Sequence, residues 1–228
     1  MAKKKRSGIA WIVAAAAVVV LVAIALGWAL GSRGNETAPP VATTSGTSGG
    51  QASSSSGDGE ETDGICGLPL GSQEVPKAGP EATWEIRRGA TVPTSKEYGP
   101  GIVENGDRSC FAHNPLGAVF ASANFMGLTQ EAFLSHVTPG AYYDALAAAD
   151  VGDPTPGETL TVRGFKVEQL GGDKMRVTLV TSLGGQAPLV AIPGDVVWAD
   201  GDWKVDGKQT DQGSQTLTSL EGYVPWGP

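Results

Sequence analysis

Residues 196–205, Val-Val-Trp-Ala-Asp-Gly-Asp-Trp-Lys-Val, predict a β-hairpin and decide which fold class is expected. Asp200-Gly201 at the centre is typical of a two-residue type I′ turn, because both central residues of that turn need a positive φ. With the turn there, Trp198 and Trp203 oppose each other across the ladder and can stack. The hairpin therefore predicts an antiparallel sheet in the C-terminal half of the chain.

Shorter strands precede this hairpin. The stretch 175–179 alternates apolar and polar residues with the period of a half-buried strand, and 189–192 forms another short apolar run. Within 160–167 the apolar positions change parity at Gly164, and a β-bulge there would return them to one face. A bent antiparallel sheet is the arrangement that these patterns favour.

Helices are expected immediately before the sheet. Asn114-Pro115 combines an N-cap residue with proline at the first helical position, which is a strong start signal. Thr129 can cap a second, short helix, and Thr138-Pro139 repeats the cap-plus-proline signal for a third. Helices first and an antiparallel sheet after them predict an α+β domain.

The chain divides by composition into five segments. A globular domain is expected over 110–228, and an irregular arm rich in glycine and proline, 65–109, is expected to wrap it. Residues 31–64 are dominated by small and polar residues that cannot bury enough apolar surface to offset their ordering entropy, so they predict a disordered tether. Residues 9–30 predict a transmembrane helix, and 1–8 a basic cytoplasmic tail.

The predicted membrane anchor is Ile9–Leu30, an uncharged run of 22 residues. Such a helix would be about 33 Å long, enough for the hydrocarbon core of a bilayer. Trp11 and Trp28 would lie near the two interfaces, and the basic cluster 3–6 places the N-terminus in the cytoplasm and the domain outside the cell membrane. The alternative is a signal peptide cleaved at 29–31, but the run is longer than the roughly 7 to 15 residues of a signal core.

Two cysteines, Cys66 and Cys110, lie in the exported part. An oxidising compartment allows them to pair, and the chain-entropy model gives a bridge of this loop length about 4 kcal/mol of stabilisation. Two buried thiols or an intermolecular bridge are the alternatives. Neither cysteine has the Cys or His spacing of a zinc site, so no metal is expected there.

The charge distribution is uneven along the chain. Residues 34–228 carry 11 basic and all 24 acidic residues, a net charge of −13. That excess argues against electrostatic binding to nucleic acid or anionic lipid. A solvated, soluble surface is the simpler explanation.

Candidate catalytic groups are few. His113 precedes a helix cap and His136 ends a short predicted helix, and single histidines in such places are more often structural than catalytic. The chain has no Gly-x-Ser-x-Gly nucleophile motif and no Gly-rich phosphate loop. Three carboxylates resemble a calcium loop only in part, and hairpin turn chemistry explains them better: Asp200, Asp202 and Asp206. We therefore expect a non-enzymatic protein without metal or cofactor.

Aromatic residues could line a ligand pocket in the concavity of the sheet, although at these periodicities they more often belong to the core. They are Tyr142, Tyr143, Phe165, Trp198 and Trp203. The C-terminal segment 223–228, Tyr-Val-Pro-Trp-Gly-Pro, has two interpretations: it packs back over the sheet, or it docks onto a partner.

A resemblance to known families follows from these patterns. Three helices followed by a bent sheet that ends in Trp-x-Asp-Gly-Asp-Trp-Lys resemble the cystatin-like fold shared with nuclear transport factor two. Residues 110–119, Cys-Phe-Ala-His-Asn-Pro-Leu-Gly-Ala-Val, resemble actinobacterial membrane-anchored proteins encoded near conjugative-transfer genes. Their layout is similar to the bitopic scaffold subunit of type IV secretion systems. The likeness covers about 110–206 and the anchor, and it carries over no catalytic residue because that subunit has none.

Two functions are therefore expected. In the first, the exported domain assembles with itself or with protein partners, in a conjugation or secretion apparatus. In the second, the domain binds a small apolar or cell-wall ligand in the concavity of the sheet. An enzyme of the same fold would need polar groups in that concavity, where the strand positions are mostly apolar.

Overall fold

The computed structural model describes residues 64–149, 158–184, 188–210 and 212–228. The expected cytoplasmic tail, the expected transmembrane helix 9–30 and nearly all of the expected tether 31–64 lie outside these ranges. Within the described ranges, no helix is both long and apolar enough to cross a membrane.

The described chain begins with a 3₁₀ turn at Ile65–Gly67 and then forms strands, helices and further strands in that order. The first strands are β1 (Thr83–Arg87), β2 (Ala90–Thr94), β3 (Ile102–Glu104) and β4 (Asp107–Ser109). The helices are α1 (Pro115–Phe125), α2 (Gln130–Ser135) and α3 (Ala141–Ala148). The remaining strands are β5 (Leu160–Gly171), β6 (Lys174–Leu183), β7 (Leu189–Ala199), β8 (Asp202–Val205), β9 (Gln215–Leu217) and β10 (Val224–Pro225).

Eight of these strands form one sheet with the order β1-β2-β5-β6-β7-β8, in which β10 lies beside β5 and β9 beside β7. The strands β3 and β4 form a separate two-stranded ladder. The named strands pair antiparallel except for β2 and β5, which meet in parallel at Ala90 and Leu160. The three long strands β5, β6 and β7 are consecutive, so the centre of the sheet is a simple meander.

The expected α+β domain with helices first is wrong. Four strands precede α1, two of them join the main sheet, and strand is far more abundant than helix among the described residues. The cystatin-like order of elements therefore does not describe this domain. The segment 65–109, which was expected to be an irregular arm, supplies β1 and β2 to one side of the sheet.

The hairpin of β1 and β2 explains why the arm is not irregular. Arg88 and Gly89 form its two-residue turn, with φ of 45° and 75°. Pro93 lies directly opposite Trp84. Counting from the turn, that pair is not hydrogen-bonded, so the missing N–H of proline costs no hydrogen bond between the two strands.

The predicted C-terminal hairpin is confirmed. Trp198 pairs with Trp203, and Asp200 and Gly201 between them have φ of 54° and 80°. The two indoles meet edge to face, with centroids 5.4 Å apart and planes at 75°, rather than stacked. The predicted bulge is also confirmed, as a register shift between β5 and β6 at Gly164.

Two of the three predicted helix starts are confirmed. The side chain of Asn114 accepts the Gly117 N–H, and Thr129 caps α2 in the same way. The third prediction is wrong, because α3 begins at Ala141 with Gly140 before it. The Thr138 hydroxyl instead accepts the N–H of Gly207, 69 residues later. A tertiary partner thus replaces the local cap.

The core lies between the sheet and α1, which contacts β2, β5, β6, β7 and β8. Fully buried Val119 and Phe120 on α1 belong to one apolar cluster with Phe165 on β5 and Trp203 on β8. Trp226, just after β10, closes the same cluster through ring contacts with Phe120 and Phe165 at 5.1 and 5.5 Å.

Candidate functional site

The densest group of polar contacts lies around residues 110–114, which we call the 110–114 loop. It links the start of the described chain, helix α1 and the β7–β8 hairpin. Cys110 forms a disulfide with Cys66, 44 residues earlier, with the two Cα atoms 6.3 Å apart. The predicted pairing is therefore confirmed, and it attaches the chain immediately after Gly64 to the body of the domain.

Asp202 holds this loop from the hairpin side. Its carboxylate accepts the backbone N–H groups of Cys110 at 2.6 Å and of Phe111 and Trp203 at 2.9 Å. Burial raises the pKa of Asp202 above its ordinary value, and these hydrogen bonds oppose the rise. The residue was expected only to form part of a turn, but its main role is to satisfy three buried donors.

Trp203 completes the attachment of the loop. Its indole is fully buried, and Nε1 donates a hydrogen bond of 2.9 Å to the carbonyl oxygen of Ala112. Asn114 then caps α1 and donates from Nδ2 to the carbonyl oxygen of Leu70 at 2.8 Å. The loop thus contacts both the hairpin and the chain around Leu70.

His113 lies at the surface of the same loop. Its ring stacks on Trp198, with centroids 3.9 Å apart and planes at 13°. A ring nitrogen lies 3.2 Å from the carboxylate of Asp173, in the turn between β5 and β6. The side chain of His113 is 35% exposed and that of Asp173 is 63% exposed, so this group faces solvent and involves no deep pocket.

His136 lies at the end of α2 and is almost completely buried. Its ring nitrogen is 2.6 Å from a carboxylate oxygen of Asp107 on β4, and its ring packs against Phe125. Its backbone oxygen accepts the N–H of Val205. Both histidines therefore make contacts between elements of the fold.

The five aromatic residues proposed for a pocket do not share one site. Phe165 and Trp203 are fully buried, and Trp198 contacts Trp203 at one end of the sheet. Tyr142 packs against the core from α3. Tyr143 belongs to an open depression of about 600 Å³ between α2 and α3, which is also lined by Gln130, Glu131, Leu134 and Ser135.

A second polar network lies at the junction of β6, β7 and the chain after β8. Lys174 contacts Asp206 at 2.6 Å, and Arg176 forms two hydrogen bonds to Asp195 at 2.7 and 3.1 Å. The hydrogen bond to Asp206 raises the pKa of Lys174 above its ordinary value despite partial burial. Burial alone would raise the pKa of Asp206, but Lys174 and the N–H of Lys208 outweigh it and lower that pKa.

The chain belongs to the family described as Domain of unknown function (DUF8175), whose model matches residues 43–225. No curated protein and no solved structure matches the chain. Within the part of the chain that the structure describes, no group of three or more His, Cys, Asp or Glu residues is arranged to hold a metal ion.

Proposed function

We propose that this chain is a single-pass membrane protein whose exported domain acts by assembling with protein partners in a conjugation or secretion apparatus. Ile9–Leu30 would be the anchor, and residues 31–64 would set how far the domain can reach from the membrane. The likeness of residues 110–119 to membrane-anchored conjugation proteins supports the choice of apparatus.

The observation that carries this proposal is the position of the disulfide. Cys66 comes two residues after Gly64, where the described chain begins, and its bridge leads directly to Cys110. Cys110 is held in turn by the carboxylate of Asp202 in the β7–β8 hairpin. The point where the predicted tether enters the domain is thus bridged to Cys110 and, through its hydrogen bond to Asp202, held to the β7–β8 hairpin. This arrangement suits a domain held in place by its N-terminus.

The chemistry of the bridge agrees with export. Disulfides persist in oxidising compartments outside the cytoplasm. A bridge that closes a loop of this length stabilises the domain by about 4 kcal/mol in the chain-entropy model, provided that the compartment keeps it oxidised.

The buried polar side chains of Asp202 and His136 also favour assembly over catalysis. The carboxylate of Asp202 is used by three backbone amides, and the ring of His136 by Asp107. A catalytic acid or base must instead present its polar atom to a substrate. These side chains stabilise the relative positions of loop, helix and hairpin.

Cell fractionation of the full chain tests the anchor and its orientation. We expect the protein in the membrane fraction after alkaline carbonate washing, and we expect protease added to cells stripped of their wall to digest the domain. Thiol labelling of the native, unreduced protein should modify neither Cys66 nor Cys110. Recovery in the soluble cytoplasm, with both cysteines labelled, would overturn the proposal.

Mild crosslinking in membranes followed by affinity purification tests the assembly. Recovery of other envelope proteins or of higher oligomers of this chain is the expected result. A chain whose residues 9–30 are replaced by a cleaved signal peptide is the matched control, since its domain is still exported but loses its predicted confinement to the membrane. Recovery of single, uncrosslinked chains from both samples would contradict the proposal.

A further inference from the structure

β1 and β8, the two strands at the ends of the main path through the sheet, differ in how their free sides are covered. The free side of β8 is covered by residues 136–138, because Val205 donates to the carbonyl oxygen of His136 and accepts from the N–H of Thr138. On the other side of the sheet, β1 pairs with β2 alone. Within the described ranges, no strand or loop pairs with the outer side of β1. Natural sheets usually protect such an edge, so an uncovered one indicates a place for another strand.

The backbone groups that β1 offers can be identified from its turn. A two-residue turn at Arg88-Gly89 makes Arg87 and Ala90 a hydrogen-bonded pair, and such pairs alternate along an antiparallel ladder. Thr83, Glu85 and Arg87 therefore direct their backbone N–H and C=O groups toward β2. Trp84 and Ile86 direct theirs outward, away from the sheet.

The side chains of β1 provide little protection against pairing. The strand contains no proline and no bulge, and Ile86 is 67% exposed, the largest value among the large apolar residues that the structure describes. Each of its two charged side chains makes one contact with a neighbouring part of the domain. Glu85 forms an ion pair with buried Arg108, and Arg87 donates to the carbonyl oxygen of Gly106 at 3.3 Å.

We propose that β1 pairs antiparallel with β1 of a second copy of this chain, about a two-fold axis through Trp84, and joins the two sheets. This register places Trp84 against Trp84 of the second copy, and Ala82, which immediately precedes β1, against Ile86. The pairs formed by Trp84, Ala82 and Ile86 are then hydrogen-bonded pairs, which agrees with the outward direction of the Trp84 and Ile86 backbone groups.

Charge selects this register over its neighbour. With the axis at Trp84, Glu81 opposes Arg87 of the second copy, on the same face of the joined sheet, and the pair occurs twice by symmetry. With the axis at Glu85, the two Glu85 carboxylates would face each other. Glu81 is exposed and forms no ion pair within the described residues, so its carboxylate is available to the second copy.

The small area of the β1–β1 contact indicates that it forms when two copies are held close together. Pairing over 81–87 alone covers less than the roughly 1,600 Å² of a standard stable interface, so free domains in dilute solution would associate weakly. Confinement in a membrane raises the effective concentration of a second copy and favours the pair. In this respect the inference rests on the proposed membrane anchor.

Register-specific disulfide crosslinking of the full chain in membranes tests the pairing. Directly opposed residues of a hydrogen-bonded pair have Cα atoms about 5.5 Å apart, within the range that a disulfide spans. Co-expressed Ala82→Cys and Ile86→Cys chains should form a crosslinked dimer under mild oxidation. Either variant alone should not, because Ile86 and Ile86 of the second copy would lie about 13 Å apart along the strands.

A charge-exchange series checks the same register without cysteine. Glu81→Arg should reduce the crosslinked fraction of the Ala82→Cys and Ile86→Cys pair several-fold by placing two cations together. The double variant Glu81→Arg/Arg87→Glu should restore it. Ile86→Lys should abolish the chemically crosslinked dimer of the otherwise unchanged chain, whereas Ile192→Lys, at a less exposed but still exposed position on β7, should leave it unchanged.

The outcomes separate this inference from the proposed function. Equal crosslinking by each single cysteine variant, or none in the mixed sample, would overturn the β1 pairing, even if the chain fractionates with the membrane and captures other proteins. A soluble chain that still crosslinks only in the mixed sample would retain the pairing and overturn the anchor.

Discussion

Trp226 donates a hydrogen bond of 2.9 Å from its indole Nε1 to the carbonyl oxygen of Pro80, 146 residues earlier in the chain. The same ring lies 4.7 Å from that of Trp84 on β1, centroid to centroid. The C-terminal segment therefore packs back over the sheet and holds the chain that leads into β1. This arrangement decides between the two interpretations of the tail that its sequence permits.

Trp226→Ala should destabilise the domain by about 3–5 kcal/mol, because it removes a buried aromatic side chain from contact with Phe120 and Phe165. The loss should appear as a lower urea midpoint. Deletion of the exposed Pro228 is the matched control and should leave the midpoint nearly unchanged. Equal midpoints for Trp226→Ala and the unmodified chain would contradict the packing of the tail.

Asp202→Asn should cost about 3 kcal/mol of unfolding free energy. One carboxylate oxygen is replaced by an NH₂ group, which leaves at least one of the buried amides of Cys110, Phe111 and Trp203 without an acceptor. Asp200→Asn, in the same turn but with a side chain 82% exposed, should change stability by less than about 0.5 kcal/mol. A comparable loss for both variants would show that turn chemistry alone explains the two residues.

The Lys174–Asp206 pair should give stability a defined pH dependence. The lowered pKa of Asp206 means that its contribution is present above about pH 3.9, the value for an unfolded chain, and is lost as the pH falls through the folded value. The raised pKa of Lys174 means that its contribution is present below about pH 10.4 and is lost as the pH rises through the folded value.

Urea unfolding of Asp206→Asn at several pH values measures this dependence. The variant should be less stable than the unmodified chain at pH 7, and the difference should shrink toward strongly acidic pH, where Asp206 is protonated. The difference in stability between Lys174→Gln and the unmodified chain should likewise shrink in alkali, where Lys174 is deprotonated. If the difference in unfolding free energy between Asp206→Asn and the unmodified chain stayed constant from neutral to strongly acidic pH, the ion pair would not be its source.

Gly117→Ala gives opposite predictions from helix propensity and from tertiary structure. Alanine is favoured over glycine within a helix by about 1 kcal/mol. However, a Cβ at Gly117 would lie 1.8 Å from the carbonyl oxygen of Ala112, so the 110–114 loop would have to move. We expect net destabilisation of about 1–3 kcal/mol by thermal or urea unfolding.

Gly194→Ala is the control for that substitution. A Cβ at this position on β7 meets nothing within 4 Å. The substitution should be neutral or stabilise the domain by about 0.5–1 kcal/mol, because glycine loses more conformational entropy on folding. Stabilisation by both substitutions would mean that the loop does not lie against α1 as described.

The elements predicted correctly from sequence depend on residues close together in the chain. Asp200-Gly201 defines its own turn because two consecutive positive φ values are needed there. The Asn114 side chain caps a helix that begins at the next residue. Thr138 has the same local pattern, but Gly207 takes its hydroxyl, so the local signal failed where a distant partner competed for it.

The order of elements was predicted wrongly because the first hairpin carries a weak signal. Arg88-Gly89 is a less distinctive turn than Asp-Gly, and Pro93 suggests that a strand is interrupted. Pro93 lies opposite Trp84 in a pair that is not hydrogen-bonded, so it removes no hydrogen bond between β1 and β2. This can be recognised only when the register is known. The alternation of Trp84 and Ile86 before the turn was the signal that could have identified the strand.

The sequence by itself determined the local features of this protein: the β7–β8 turn, the bulge at Gly164 and the first two helix caps. The anchor at Ile9–Leu30 also follows from sequence alone, and it stays a prediction. Only the tertiary structure decided that β1 is an outer strand with no partner on its free side among the described residues, that Trp226 closes the core and that Asp202 holds the 110–114 loop. The physical reason is the separation in sequence of the groups that interact. Turns and caps are set by hydrogen bonds within a few residues. The contacts of Asp202 and Trp226 instead join segments about 90 to 150 residues apart, and the pairing of such segments depends on the packing of the whole sheet.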